Sequence, residues 1–103
     1  MICVIATIEL NERCREEFLA IFRELVPKVL AEQGCIEYAP MVDVPTELPG
    51  QPPVEENVVT VVEKWASLED LERHLMAPHM GEFRERTKAF RRGAVLRILE
   101  AAT

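Results

Sequence analysis

The 103-residue chain has no apolar run approaching the roughly 20 residues that a membrane-spanning helix requires, which argues against membrane insertion. Basic side chains are also few: 12 against 18 acidic ones give a formal net charge of −6, which repels a phosphate backbone and argues against a nucleic-acid partner. The only local basic cluster, Arg84, Arg86, Lys88, Arg91 and Arg92, is interleaved with Glu82 and Glu85 and reads as a solvated helix face. No glycine-rich phosphate loop, GxSxG elbow, HExxH run or Walker sequence occurs, so nucleotide cofactors and zinc hydrolysis have no support in the sequence. Cys3, Cys14 and Cys35 are odd in number and lack CxxC or Cys/His ligand spacing, as expected of reduced thiols without a metal. The opening MICVIATIELNERC has no basic leader before its apolar residues and no small-residue cleavage pattern after them. The expected location is the cytoplasm.

What remains is a globular composition, 49% apolar and 29% charged, sized for one domain over residues 1–103. ICVIATIE, residues 2–9, is short and rich in β-branched residues and reads as a strand. Asn11 offers an N-cap, and Phe18, Phe22, Leu25 and Val29 then recur at helical spacing, with Leu19, Val26 and Leu30 widening the stripe, until Gly34. Pro27 leaves the Arg23 carbonyl without a donor and predicts a kink or a split. CIEYAPMVD reads as a strand that Pro40 confines to an edge or a bulge. Pro45, Pro49, Pro52 and Pro53, with Gly50, mark residues 44–56 as a loop long for a hairpin. NVVTVVEKW is a third strand, and Ser67 with Asp70 forms a capping-box pattern that opens a short helix. Pro78 opens a second helical run that carries Phe83 and Phe90 and is ended by Gly93, before a last strand AVLRILE.

The order β, α, β, β, α, β is the split βαβ arrangement of ferredoxin-like α+β domains, a four-stranded antiparallel sheet with helices on one face. The other face should then read polar at every second residue, yet ICVIAT, VVTVV and AVLRIL are apolar at both parities. A second copy of the sheet is the simplest cover, which predicts a homodimeric α+β barrel.

The residues able to do chemistry are few. His74 and His79, the only histidines, flank Pro78. At a helix start the dipole disfavours the imidazolium, so His79 is the first candidate for a neutral general base, with His74 beside it; either could equally be a capping, packing or edge residue. Glu63 lies in an apolar strand and needs a partner, for which Arg97 on the last strand is the candidate, in a structural or catalytic pair. Phe18, Phe22, Phe83 and Phe90, with Met76 and Met80, read as core, and Phe22, Phe83 and Met80 as the members that line any cavity between helices and sheet.

The runs VPKVLAEQGCIEYAPMVD, VVEKWASLEDLERHLMAPHM and VLRILE resemble the antibiotic biosynthesis monooxygenase family, and within it the bacterial quinol monooxygenases. The specific parts are GCxxYAPMVD, the E-x-W of the third strand and H-x-x-x-P-H. The resemblance implies a dimeric barrel that oxidises a quinol or related polyphenol with dioxygen and no flavin, haem or metal cofactor. Trp65 matches the family's strand tryptophan, and His74 and His79 match its histidine run; in the expected reaction Trp65 would stack on the substrate ring and His74, Tyr38 or Arg97 would orient substrate oxygens. The first strand lacks the asparagine that some cofactor-free oxygenases and haem degraders carry there. Isomerisation of a small hydroxyketone or signalling sugar, and small-molecule binding without catalysis, are the alternative readings.

Overall fold

The computed structural model describes residues 1–103 and arranges them as β1 (Ile2–Leu10), α1 (Arg15–Leu30), β2 (Cys35–Met41), β3 (Val58–Trp65), α2 (Leu68–Leu75), α3 (Pro78–Thr87) and β4 (Arg91–Leu99). The four strands form one antiparallel sheet in the order β2-β3-β1-β4. This is the predicted ferredoxin-like order, with β2 and its Pro40 on an edge. No helix is long and apolar enough to cross a membrane.

The register sorts the apolar strands into two faces. Residues paired across antiparallel strands share a face, so Tyr38, Glu63, Val4 and Ile98 form one row toward the helices, and Pro40, Val61, Ala6 and Leu96 form the next. Val4, Ala6, Val59, Val61 and Trp65 are buried there against Phe18, Phe22, Leu25 and Val29 of α1. The opposite face carries the row Ala39, Val62, Ile5 and Arg97, flanked by Thr7, Thr60 and Val95. The helices stop short of β4, where the helix-facing Leu96 and Ile98 are each 50% exposed.

Several boundaries differ from the sequence reading. Asn11 does not cap α1: its side-chain amide donates to the Ala89 carbonyl, its backbone N–H donates to the Phe90 carbonyl, and the helix starts at Arg15, with Cys14 at the cap position. The intervening turn puts Arg13 at φ 64°. Pro27 does not split α1, which runs unbroken for 16 residues because the proline falls in its last turn. The second helical run ends at Thr87, so Phe90 lies in the turn after it and Gly93 lies within β4. Met76 is 84% exposed and not a core residue.

Gly34 has a positive φ of 81°, and a Cβ there would overlap the Asp70 carboxylate. Asp70 is the other half of the capping box: its backbone N–H donates to Ser67 Oγ at 3.2 Å, and Ser67 Oγ donates to its carboxylate at 3.0 Å. Gly34→Ala combines left-handed strain with displacement of this cap and should destabilise the fold by about 2 kcal/mol or more. Urea denaturation checks it; a loss near the few tenths typical of a neutral surface change would mean the Asp70 side chain moves aside freely.

Candidate active site

A cavity of about 160 Å3 lies between the helix-facing side of the sheet and α1, α2 and α3. Ala6, Ile8 and Val61 form its floor, Phe22, Met80 and Phe83 its helical wall, and Ala94 and Leu96 the side toward the uncovered strand β4. An apolar cavity of about 150 Å3 accommodates benzene, so this one has room for a single aromatic ring. Phe22 stacks on Tyr38 with ring centres 5.5 Å apart, and Phe83 meets Phe22 edge-on at 5.4 Å, which holds the apolar wall in one arrangement.

Three polar side chains, Tyr38, Glu63 and His74, also line this cavity. His74, in the last turn of α2, is 1% exposed and lies against the Trp65 indole with ring centres 4.6 Å apart. Its Nδ1 is 2.9 Å from Glu32 Oε2, and the same oxygen is 2.7 Å from His79 Nε2. Glu32 is held in the turn after α1 from both sides: its N–H donates to the Val29 carbonyl and its own carbonyl accepts from Cys35. A carboxylate facing Nδ1 selects the tautomer with the proton on that nitrogen and leaves Nε2 as an acceptor. No wholly buried polar side-chain atom lacks a partner, and His74 Nε2 has none within the chain, so it opens into the cavity. The same reasoning applies to the Tyr38 hydroxyl and to Glu63 Oε2, because Glu63 Oε1 alone accepts the Trp65 indole N–H at 3.0 Å.

Burial governs the electrostatics. It holds His74 below the ordinary histidine value, against the opposing hydrogen bond and charge of Glu32. It pushes the Glu63 carboxyl up to about 7, with the Trp65 hydrogen bond restraining the rise and the Glu32 charge adding to it. Tyr38 is driven well above the phenol range by burial and by the charges of Glu63 and Glu32, so it remains a neutral donor. Cys35 is pushed up to about 11 by burial first and the same two carboxylates next, which makes it a poor nucleophile.

The structure brings together His74, Tyr38, Phe22, Phe83 and Met80 of the predicted site and leaves out three others. His79 faces Glu32 and a surface groove between α1 and α3, because the first turn of α3 points it away from the cavity. Trp65 is fully buried behind His74 and meets the cavity only through Glu63. Arg97 pairs with Ile5 on the opposite sheet face and cannot be the partner of Glu63, which is Trp65. The basic run is not wholly a solvated helix face, since Arg84 and Arg91 line the cavity. Sequence reasoning passed over Glu32, which is 42 residues from His74 with no spacing rule to connect them. No group of three or more His, Cys, Asp or Glu side chains is placed to hold a metal ion.

The family model for antibiotic biosynthesis monooxygenases matches residues 1–86. The chain belongs to the antibiotic biosynthesis monooxygenase family. It is 37% identical over 102 residues to the Escherichia coli K12 protein named probable quinol monooxygenase YgiN, covering 97% of each chain, and equally similar to YgiN of Shigella flexneri. Among solved structures, one from Caulobacter crescentus superposes with a TM-score of 0.81 at 27% identity, over 99% of this chain and 90% of that one. A Nitrosomonas europaea structure reaches 0.84 at 12% identity over the whole of both chains, a likeness of fold alone. In this family member the cavity-lining residues come from all four strands and all three helices, so the site exists only once the whole sheet is assembled.

Proposed function

We propose that this family member oxidises a quinol or related polyphenol with dioxygen, without a flavin, haem or metal cofactor. The observation that carries the reading is His74 Nε2, an unpartnered acceptor kept neutral by burial, opening onto an apolar cavity the size of one ring. The 37% identity to a protein named probable quinol monooxygenase supports the substrate class. Removing a hydroxyl proton turns a quinol into a far better one-electron donor, so a base in a water-poor slot is what the chemistry requires. The quinolate passes one electron to dioxygen, the semiquinone and superoxide join through a new C–O bond, and the O–O bond then breaks. One oxygen atom stays on the ring as a hydroxyquinone and the other leaves as water, so that the quinol and one dioxygen account for every atom and electron. Tyr38 is placed to donate to a substrate oxygen, and Phe22 with Phe83 to hold the ring.

Oxygen consumption and product mass, measured on metal-stripped protein with simple quinols, test this. The expected product is 16 mass units heavier than the quinone. Product formation from a hydroxyketone without oxygen uptake would make the chain an isomerase, and turnover lost in chelator and restored by a metal would end the cofactor-free reading.

The apolar outer sheet face supports a homodimer. Val62 and Ile5 share that face, whereas Val61 points to the helices. Val62→Asp should therefore convert a dimer to a folded monomer, while Val61→Asp should unfold the chain by placing a charge in its core. Sedimentation and circular dichroism separate the outcomes; a native chain that sediments as a monomer at micromolar concentration contradicts the barrel.

A further inference from the structure

Two cations at the cavity go unused by the reading above. Arg84 of α3 and Arg91 of β4 both line it, and neither has a carboxylate within ion-pair distance in a chain with 18 acidic residues. Their guanidinium groups are held by neutral atoms instead. Arg84 Nη2 donates to the Leu75 carbonyl at 2.7 Å; Arg91 Nη2 donates to the Arg84 carbonyl at 2.8 Å, and its Nε donates to Thr87 Oγ1 at 3.1 Å. These bonds orient the two forks and leave their positive charge uncompensated, with Nε and Nη1 of Arg84 and Nη1 of Arg91 free to donate.

The backbone makes a specific adjustment at this point. Ile8 pairs with Ala94 and Glu9 with Gly93, so a regular ladder would set Leu10 opposite Arg92. A register shift between Glu9 and Leu10 sets it opposite Arg91 instead, and so brings Arg91 to the helix-facing side. Bulges that re-aim one side chain are concentrated beside functional sites. Arg84 is also close enough to Tyr38 and His74 for its charge to act on both.

We infer that the cavity takes a single-ring aromatic bearing a carboxylate, with the ring against the apolar wall of Phe22, Phe83 and Met80 and the carboxylate on the guanidinium groups of Arg84 and Arg91. A planar guanidinium fork matches a carboxylate with paired, charge-assisted hydrogen bonds. Glu63, the one carboxylate in the lining, is 5% exposed and lies deep in the row with Tyr38, away from the uncovered side where the arginines stand. The inference rests on the cavity being a substrate site and names the substrate class within the quinol reading.

Binding of benzoate and of its neutral isostere benzamide, followed by calorimetry on the intact protein, tests the inference without requiring turnover. Benzoate is expected to bind at least tenfold more tightly than benzamide, and that ratio should fall toward one in Arg84→Gln and independently in Arg91→Gln, with rising salt eroding it in the native protein. Arg84→Lys, which keeps the charge and loses the fork, should retain only part of the preference. Equal binding of the two ligands by the native protein overturns the inference, as does a preference for benzoate that survives both glutamine variants. The same comparison with 2,5-dihydroxybenzoate and 2,5-dihydroxybenzamide, read as oxygen uptake, separates it from the parent reading. Benzoate bound selectively with neither diphenol oxidised sustains the anion site and removes the quinol reading; 2,5-dihydroxybenzamide oxidised as fast as the acid, with no selectivity for benzoate in binding, does the reverse.

Discussion

His74→Ala should lower quinol turnover by roughly 10² to 10⁴, the range for loss of a positioned general base, while His79→Ala should lower it by a factor smaller by at least tenfold. The asymmetry follows from where the two rings stand. His74 Nε2 opens into the cavity, whereas His79 reaches it only through the Glu32 oxygen that both histidines share. Removing His79 deprives Glu32 of one donor and leaves the His74 contact in place. The rate should rise through one ionisation below about pH 6.5, since burial lowers the His74 pKa and the base acts in its neutral form. Steady-state oxygen uptake from pH 5 to 9 reads both effects. A silent His74→Ala variant with a damaging His79→Ala would assign the base to the other side of Pro78, and a rate still climbing toward pH 9 would assign the ionisation to the quinol.

Glu63→Gln should raise stability above pH 7 by about 3 kcal/mol and leave it nearly unchanged below pH 4.5, a difference set by the gap between 4.5 and about 7. The folded state holds the Glu63 proton more tightly than the unfolded state does. Its stabilising contribution is therefore complete below the unfolded pKa and is lost as pH rises through about 7. Glutamine cannot ionise, yet its carbonyl oxygen can still accept the Trp65 indole N–H. His74 works with the opposite sign: its folded pKa is lowered, so its contribution is present above about 6.5 and declines in acid. The two partly cancel in the native protein, which is why the comparison between variant and native protein is the informative one. Urea midpoints at pH 4.5, 6 and 8 give the result, and a variant whose stability runs parallel to the native protein's across that range would show that Glu63 is solvated when ionised.

The architecture was legible because its signals are local. Strand parity, the Ser67 cap and the confinement of Pro40 to an edge follow from residues within a few positions of one another. The both-faced apolar strands likewise announced an outer surface that the helices leave uncovered. The site was less legible because its geometry is built across long separations. Asn11 looked like a cap but was taken by Ala89 and Phe90, far along the chain. Glu63 and Arg97 were matched by charge alone, and only the register shows them on opposite faces. His79 carried the helix-start signal for a neutral base, yet that signal gives no direction for the ring. The cavity arginines were hidden in a mixed-sign run, because a one-residue bulge decides which of Arg91 and Arg92 turns inward.

The strand order has a consequence for how the chain is made. β1 precedes both of its partners in the chain and lies between β3 and β4, so neither of its hydrogen-bonded edges can be satisfied until β3 and then β4 have been synthesised. Both edges of β1 are open until β3 is made, and one stays open until β4 is made, a state prone to pairing with other chains. Sequence-distant pairing of this kind also slows folding. Chains that end before Arg91 leave the β4 edge of β1 unpaired and are the forms most exposed to pairing with other chains.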